Sequence, residues 1–339
     1  MGMKDLIKGM LPDKMGNAIR NVKAGILLRK DYTRQRKRFY CSYSREWSDG
    51  LMQVQSRLMF LTHQIEKGLG HRSFRYGFGV HVFAELGPML TKMEYVDSDY
   101  LTNVVYRECM GAVHEYIERH QAAGKDLSVQ RRCLTSEQWK RAENWMAGDG
   151  GSVVLEAAQK AKNPMLPFVD LLKQRHSLRE YSDEPISAED LRRAVELATR
   201  APSACNRQPG RVIEVRDPSI ISELLKIQGG VRGYATPPAL LLVTAKQSVF
   251  MGPNERNQAY VDGGLFSMTL LLALEALGLA SCPLHAMFDV EKETETRSIL
   301  GIPDDEVLIM YIEVGHFPKT VRTPMSTRLP VEDVLRVVE

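Results

Sequence analysis

The chain has 339 residues, 44% apolar and 26% charged, an ordinary composition for a globular protein of about two domains. Its net charge of +3 provides no whole-chain field for nucleic acid, so none is expected as a partner. The five cysteines are odd in number, scattered and never spaced C-x-x-C, which argues against a disulfide framework or a structural zinc site and for a reducing, cytoplasmic setting. The first residues, Met1 to Lys8, lack the apolar core of a signal peptide, and no uncharged apolar run reaches the length of a membrane span.

The first fifty residues carry twelve Lys or Arg against five Asp or Glu, densest over Arg34-Gln35-Arg36-Lys37-Arg38. This run reads as a solvated basic face, or as a contact for an anionic membrane surface or a partner protein. Residues 1–150 read as a helical accessory or lid region. Leu51, Val54, Leu58, Leu61 and Ile65 recur at helical spacing, and Gly68 reads as the stop. His63 and Glu66 on that helix are a weak metal pair, with no second pair nearby, so no metal is expected. The stretch Arg72 to Gly79 reads as a glycine-hinged loop or as a lid presenting Arg72, Arg75 or Phe78. A second helix is expected from Asp99 to Gln121 and a third near Thr135. Gly148-Asp149-Gly150-Gly151-Ser152 reads as a linker.

Residues 163–339 read as a second domain of alternating helices and strands. A short helix is expected from Pro167 to Gln174. Ser187 caps a helix carrying Leu191, Ala194, Val195 and Ala198 on one face. Arg211–Val215 alternates like a strand, and Asp217-Pro218 opens a helix. Ala239–Val243 and Val307–Val314 are apolar runs suited to strands buried on both faces. Helices and strands without strict alternation indicate an α+β fold with a mixed sheet.

Two segments carry chemistry. Arg175-His176-Ser177-Leu178-Arg179 puts two guanidinium groups and a hydroxyl on one short run. Guanidinium forks suit phosphate and the polar edge of a heterocycle. Ala201-Pro202-Ser203-Ala204-Cys205-Asn206-Arg207-Gln208-Pro209 is a turn-rich loop with amide side chains, which suit a ring presenting both donors and acceptors. Together they read as a clamp for a phosphorylated aromatic cofactor. Three further marks follow in order: the apolar run 262–279, then Ser281-Cys282-Pro283-Leu284-His285, then Ser326-Thr327-Arg328-Leu329-Pro330.

In this order the motifs resemble the FMN-binding signature of the nitroreductase family, over residues 168–339. The resemblance implies a nitroreductase-like mixed sheet flanked by helices and a homodimer with FMN at the subunit interface. It implies an NAD(P)H-dependent flavin oxidoreductase that passes electrons to a small-molecule acceptor such as a nitroaromatic or a quinone. On the same fold, a specialised oxidase, dehalogenase or flavin-cleaving enzyme and a non-enzymatic FMN-binding protein remain the alternatives. The implied cofactor-binding residues are Arg175, His176, Ser177, Arg179, Pro202, Ser203, Asn206, Gln208, Pro283, Leu284, His285 and Arg328. His285 is the one candidate for a catalytic side chain. The chain departs from the family pattern at Gly210, where an aromatic residue is common, and at Ser326, where a basic residue is common.

Overall fold

The computed structural model describes residues 13–42 and 44–338. The opening residues Met1 to Lys8 therefore lie outside the described residues. The described residues open with a long helix, α1 (Asp13–Ser42), followed by a helical region of α2 (Leu51–Gly70), α3 (Val80–Val96), α4 (Val104–Ala122), α5 (Ser128–Arg131) and α6 (Ser136–Glu143). The predicted spacing on α2 holds: Val54, Leu58, Leu61, Ile65 and Leu69 are buried against Phe83, Leu86 and Leu90 of α3 and Tyr106, Met110 and Val113 of α4. Gly68 does not end α2. The helix runs on to Gly70, and the Phe78 ring packs on Gly68, where an added Cβ would come within 2.0 Å of that ring. The second helix starts at Val104 rather than Asp99, because the Asn103 side chain accepts from the Val105 amide at 3.0 Å and caps it there. Thr135 and Gln138 form the capping box that opens α6.

The expected linker is packed rather than solvated. An added Cβ on Gly150 would lie 2.2 Å from the Glu108 carbonyl oxygen of α4. Ser152 opens β1 (Ser152–Glu156), which pairs antiparallel with β6 (Thr320–Pro324), so the chain's last strand returns to the helical region. There β6 lies against α2, where an added Cβ on Gly70 would lie 3.3 Å from the Arg322 carbonyl oxygen.

Between these strands come α7 (Ala157–Lys160), α8 (Phe168–Gln174), α9 (Ala188–Ala198), β2 (Gly210–Val215), α10 (Pro218–Gln228), β3 (Ala239–Lys246), α11 (Gln258–Ala276), β4 (Leu279–His285), α12 (Val290–Leu300) and β5 (Glu306–His316); α13 (Val331–Val334) follows β6. The caps read from sequence hold, with Ser187 accepting from the Asp190 amide and Asp217 from those of Ser219 and Ile220. The main sheet runs β2-β3-β5-β4 with antiparallel neighbours, and a parallel bridge between Ser177 and Ser281 extends it beyond β4. Strand β3 divides its side chains between two layers. Leu241 and Val243 face Leu191, Ala194, Leu270 and Leu274 of α9 and α11, while Leu240 and Leu242 face Ile221, Leu224 and Tyr311. Helix α11 is long and apolar enough to cross a membrane, but half of it is buried inside the protein, as befits a core helix.

Candidate functional site

Helix α8 ends where the Arg175 amide donates to the Leu171 carbonyl. The chain then runs extended beside β4, with the Leu178 amide donating to the Ser281 carbonyl at 2.9 Å. Successive side chains of an extended segment point to opposite sides. Leu178 is therefore fully buried, while Ser177 and Arg179 on either side of it line one cavity of about 770 Å³ together with Arg175 and His176. The alternation puts Ser177 and Arg179 on the cavity side and Leu178 in the core. The Thr323 hydroxyl donates to the Ser177 carbonyl at 2.7 Å and fixes the facing wall, which carries Pro324, Met325, Ser326 and Arg328. Pro283 of β4 and Met268 of α11 close other sides.

The cavity is cationic. Lys173, Arg175, Arg179 and Arg328 line it, and no Asp or Glu among the described residues does. Arg175 Nη1 and Arg179 Nε are buried and make no hydrogen bond. Burial pulls the Arg175 and His176 pKa values down. Buried guanidinium nitrogens without partners are costly, and an anion entering the cavity would satisfy them.

Helix α2 contributes what the motifs did not reveal. His63 lines the cavity, 3.4 Å from Arg179 Nη2. Burial, Arg179 and Lys67 lower its pKa to about 4, so at neutral pH it is a neutral imidazole able to accept from the guanidinium. Its Nδ1 lies 3.8 Å from Glu66 Oε2. Glu66 accepts from the Gly151 amide at 3.2 Å, and Glu108 of α4 accepts from the Thr327 amide at 2.8 Å. Burial lifts both carboxyls to about 7. Two buried acids of the helical region thus hold the backbone around the segment that bears Arg328. The spacing of His63 and Glu66 was legible, but their long-range partners were not. Among the described residues no group of three His, Cys, Asp or Glu gathers as a metal set.

The nitroreductase family model matches residues 172–230 and 228–316. A Thermus thermophilus protein called NADH dehydrogenase is 31% identical over 208 residues, which span 52% of this chain and 98% of the relative. The chain belongs to the nitroreductase family. A Bacillus subtilis protein called FMN reductase [NAD(P)H] is 28% identical, across 50% of this chain and 73% of its own length. The iodotyrosine deiodinase 1 of Pongo abelii is 23% identical, across 50% of this chain and 68% of its own length. The family match begins at residue 172, so helices α1–α6 lie outside it.

Within this family frame, the structure gathers only part of the expected set. Arg175, His176, Ser177, Arg179, Pro283 and Arg328 share the cationic cavity. Pro202, Ser203 and Gln208 line a separate cavity of about 330 Å³, with Asp262 and Phe266. Asn206 lines neither; it is exposed and accepts from Gln208 Nε2 at 3.2 Å. Leu284 is buried in the sheet core, and His285 is exposed with its ring edge-on to Phe288 at 6.0 Å. Neither lines the cationic cavity in the single chain. The departure at Gly210 has a local reason, since an added Cβ would lie 2.9 Å from the Phe266 ring. Phe266 occupies that space from α11. The stretch from Arg72 to Gly79 does not reach over the cationic cavity. Phe78 packs into the helical core, and Arg72 lines a different cavity beside Glu180, which accepts from its amide at 2.6 Å.

Proposed function

We propose that this protein is an FMN-dependent oxidoreductase that takes hydride from NAD(P)H and passes it to a small organic acceptor such as a nitroaromatic or a quinone. The observation that carries this reading is the acid-free cavity of Arg175, Arg179 and Arg328 with its unpartnered buried guanidinium nitrogens. A phosphate dianion fits such a donor set. FMN, when bound, supplies the hydride chemistry that no side chain in this cavity supplies. The chain's own groups would bind and orient it. Arg175, Ser177, Arg328 and Arg179, steadied by His63, would hold its phosphate, ribityl and pyrimidine oxygens, and positive charge beside the ring favours its reduced form. Pro283 would exclude water from one face.

The reading includes a homodimer. Leu172 of α8 and Met268 of α11 line the cationic cavity and are 43% and 40% exposed. They continue into an apolar face with Phe168, Val169 and Leu265. A second copy on this face would close the cavity. It would also bring the amide loop of one copy, Pro202 to Gln208, toward the arginines of the other, which accounts for two separate cavities in one chain. A second reading, reductive dehalogenation of a small aromatic, draws on the similarity to a deiodinase and on His63 entering the cavity from outside the family match.

The deciding experiment is a visible spectrum of the purified protein before and after anaerobic NADH or NADPH. The expected result is a yellow protein with stoichiometric FMN that bleaches with one of the two donors. A protein that stays colourless with added FMN overturns the reading. A flavin that no nicotinamide reduces leaves a binding protein instead. Turnover of a halogenated phenol without nitroaromatic turnover selects the second reading.

A further inference from the structure

Helix α1 touches the rest of the chain along one face. Arg256 donates to Asp31 at 3.3 Å and Asn257 to Gln35 at 3.2 Å, while Ala24, Leu28 and Tyr32 border a groove with Phe250. Facing away are Met15, Ile19, Val22 and Ile26, exposed by 53%, 52%, 64% and 63%. Their spacing of four, three and four residues makes one stripe on a helix. At about 100° per residue, Lys23, Lys30 and Arg34 fall on one flank of the stripe and Arg29 and Arg36 on the other. Over Asp13–Ser42 the sequence has nine Lys or Arg and two Asp.

An exposed apolar stripe about three turns long needs a covering partner, and the flanking charge selects one. We propose that α1 docks this protein on an anionic lipid bilayer, with the stripe at the acyl boundary and the cationic flanks on the phosphate headgroups. A second copy of the chain is disfavoured on this face. A twofold contact through the stripe would set the two rows of cations against each other. The apolar face proposed for the dimer lies elsewhere, on α8 and α11. The Asp31 and Gln35 contacts hold the helix against the body while the stripe stays free. The inference does not depend on the redox reading, because it concerns a different surface.

The test is co-sedimentation of the full-length protein with phosphatidylcholine vesicles and with vesicles that also contain phosphatidylserine, at low and high salt. Binding is expected only to the anionic vesicles and is expected to weaken with salt. The double variant Val22→Glu/Ile26→Glu and the charge reversal Lys23→Glu/Lys30→Glu should each lower binding by roughly tenfold or more. All four side chains are exposed, so thermal melting should not change, which separates lost docking from lost fold. Absence of wild-type binding, or equal binding to neutral vesicles, overturns the proposal. It is also overturned if Val22→Glu/Ile26→Glu reduces particle mass in light scattering without affecting sedimentation, since the stripe then joins two copies.

Discussion

Three buried glutamates, Glu275 in the sheet-containing half and Glu66 and Glu108 in the helical half, meet different kinds of partner. In the sheet-containing half, Glu275 of α11 is fully buried and is met by a cation: Lys160 Nζ lies 2.7 Å away, and Asn163 donates to it at 2.9 Å. In the helical half, Glu66 and Glu108 are 1% and 7% exposed, and what they hold is backbone. A buried ion pair restores part of the cost of removing its charges from water. A carboxyl whose hydrogen bonds come from backbone amides has no buried cation to do this, and burial raises the pKa of all three. The first arrangement fastens α7 to α11 within the sheet-containing half. The second fastens the helices to the chain around Arg328. The helical half therefore reads as part of the framework of the cationic cavity.

The strongest test removes one side of the comparison. A protein starting at residue 151 lacks Glu66, Glu108 and Glu115, and Glu115 accepts from the Ser152 amide and hydroxyl at 2.6 Å. It also loses the core against which Leu329 packs. A removable lid would leave FMN binding intact. The structure predicts the reverse, a fall in affinity of roughly a hundredfold or more, because several anchors of the clamp go together. Fluorescence titration of soluble fragment with FMN checks this, and native affinity in the fragment would restore the lid reading.

The next test stays within the cavity. Arg179→Ala removes one charged partner, an interaction worth roughly 1.5–3 kcal/mol, so FMN affinity should fall roughly ten- to a hundredfold. Arg192→Ala is the control. Its guanidinium is 76% exposed at a surface pair with Glu189 and should leave affinity within about twofold.

Why part of this was legible and part was not follows from the range of the interactions. The apolar runs of β3 and β5, the Ser187 and Asp217 caps and the alternation of Ser177, Leu178 and Arg179 are all encoded within a few residues, so local pattern finds them. Helix α3 escaped because it is apolar around much of its circumference and carries Pro88 inside, which reads as a break. Strands β1 and β6 are five residues each and separated by more than 160 positions, so neither has a period to detect. His63 lies 116 residues from Arg179. Its own neighbourhood offers only a weak metal pair, and its role is set entirely by tertiary contact.

A third, smaller effect follows from the Glu108 pKa. Its ordinary value of 4.5 is raised to about 7 by burial and then by the like charge of Glu66. The folded state therefore holds the proton more tightly than the unfolded chain. The stabilisation from that proton is fully present below pH 4.5 and is lost as pH rises through about 7. Glu108→Gln is neutral at every pH, and its amide oxygen can still accept from Thr327. Relative to this variant the wild type should lose on the order of 1–3 kcal/mol across that window, with little change in FMN affinity. Thermal melts of both proteins across the range measure it, and parallel curves would show that Glu108 is not buried as described.

The weakest expected effect decides what the Arg72 to Gly79 stretch does. As a lid it would act through Arg75, and Arg75→Ala would alter acceptor kinetics. In the structure Arg75 is exposed and lines neither the cationic cavity nor the amide-loop cavity, while the neighbouring Phe78 is held in the helical core by Tyr116, whose hydroxyl donates to the Phe78 carbonyl at 2.8 Å. A loop anchored by its own aromatic residue is poorly suited to swing across a cavity. Arg75→Ala should therefore leave both FMN affinity and acceptor turnover within about twofold, the range expected of an exposed side chain. His63→Ala reaches the same cavity from the same half and should change the behaviour of Arg179. Comparing the two variants under single-turnover conditions separates contact through α2 from gating by the loop. A large kinetic change in Arg75→Ala with none in His63→Ala would return the loop to the role of a lid.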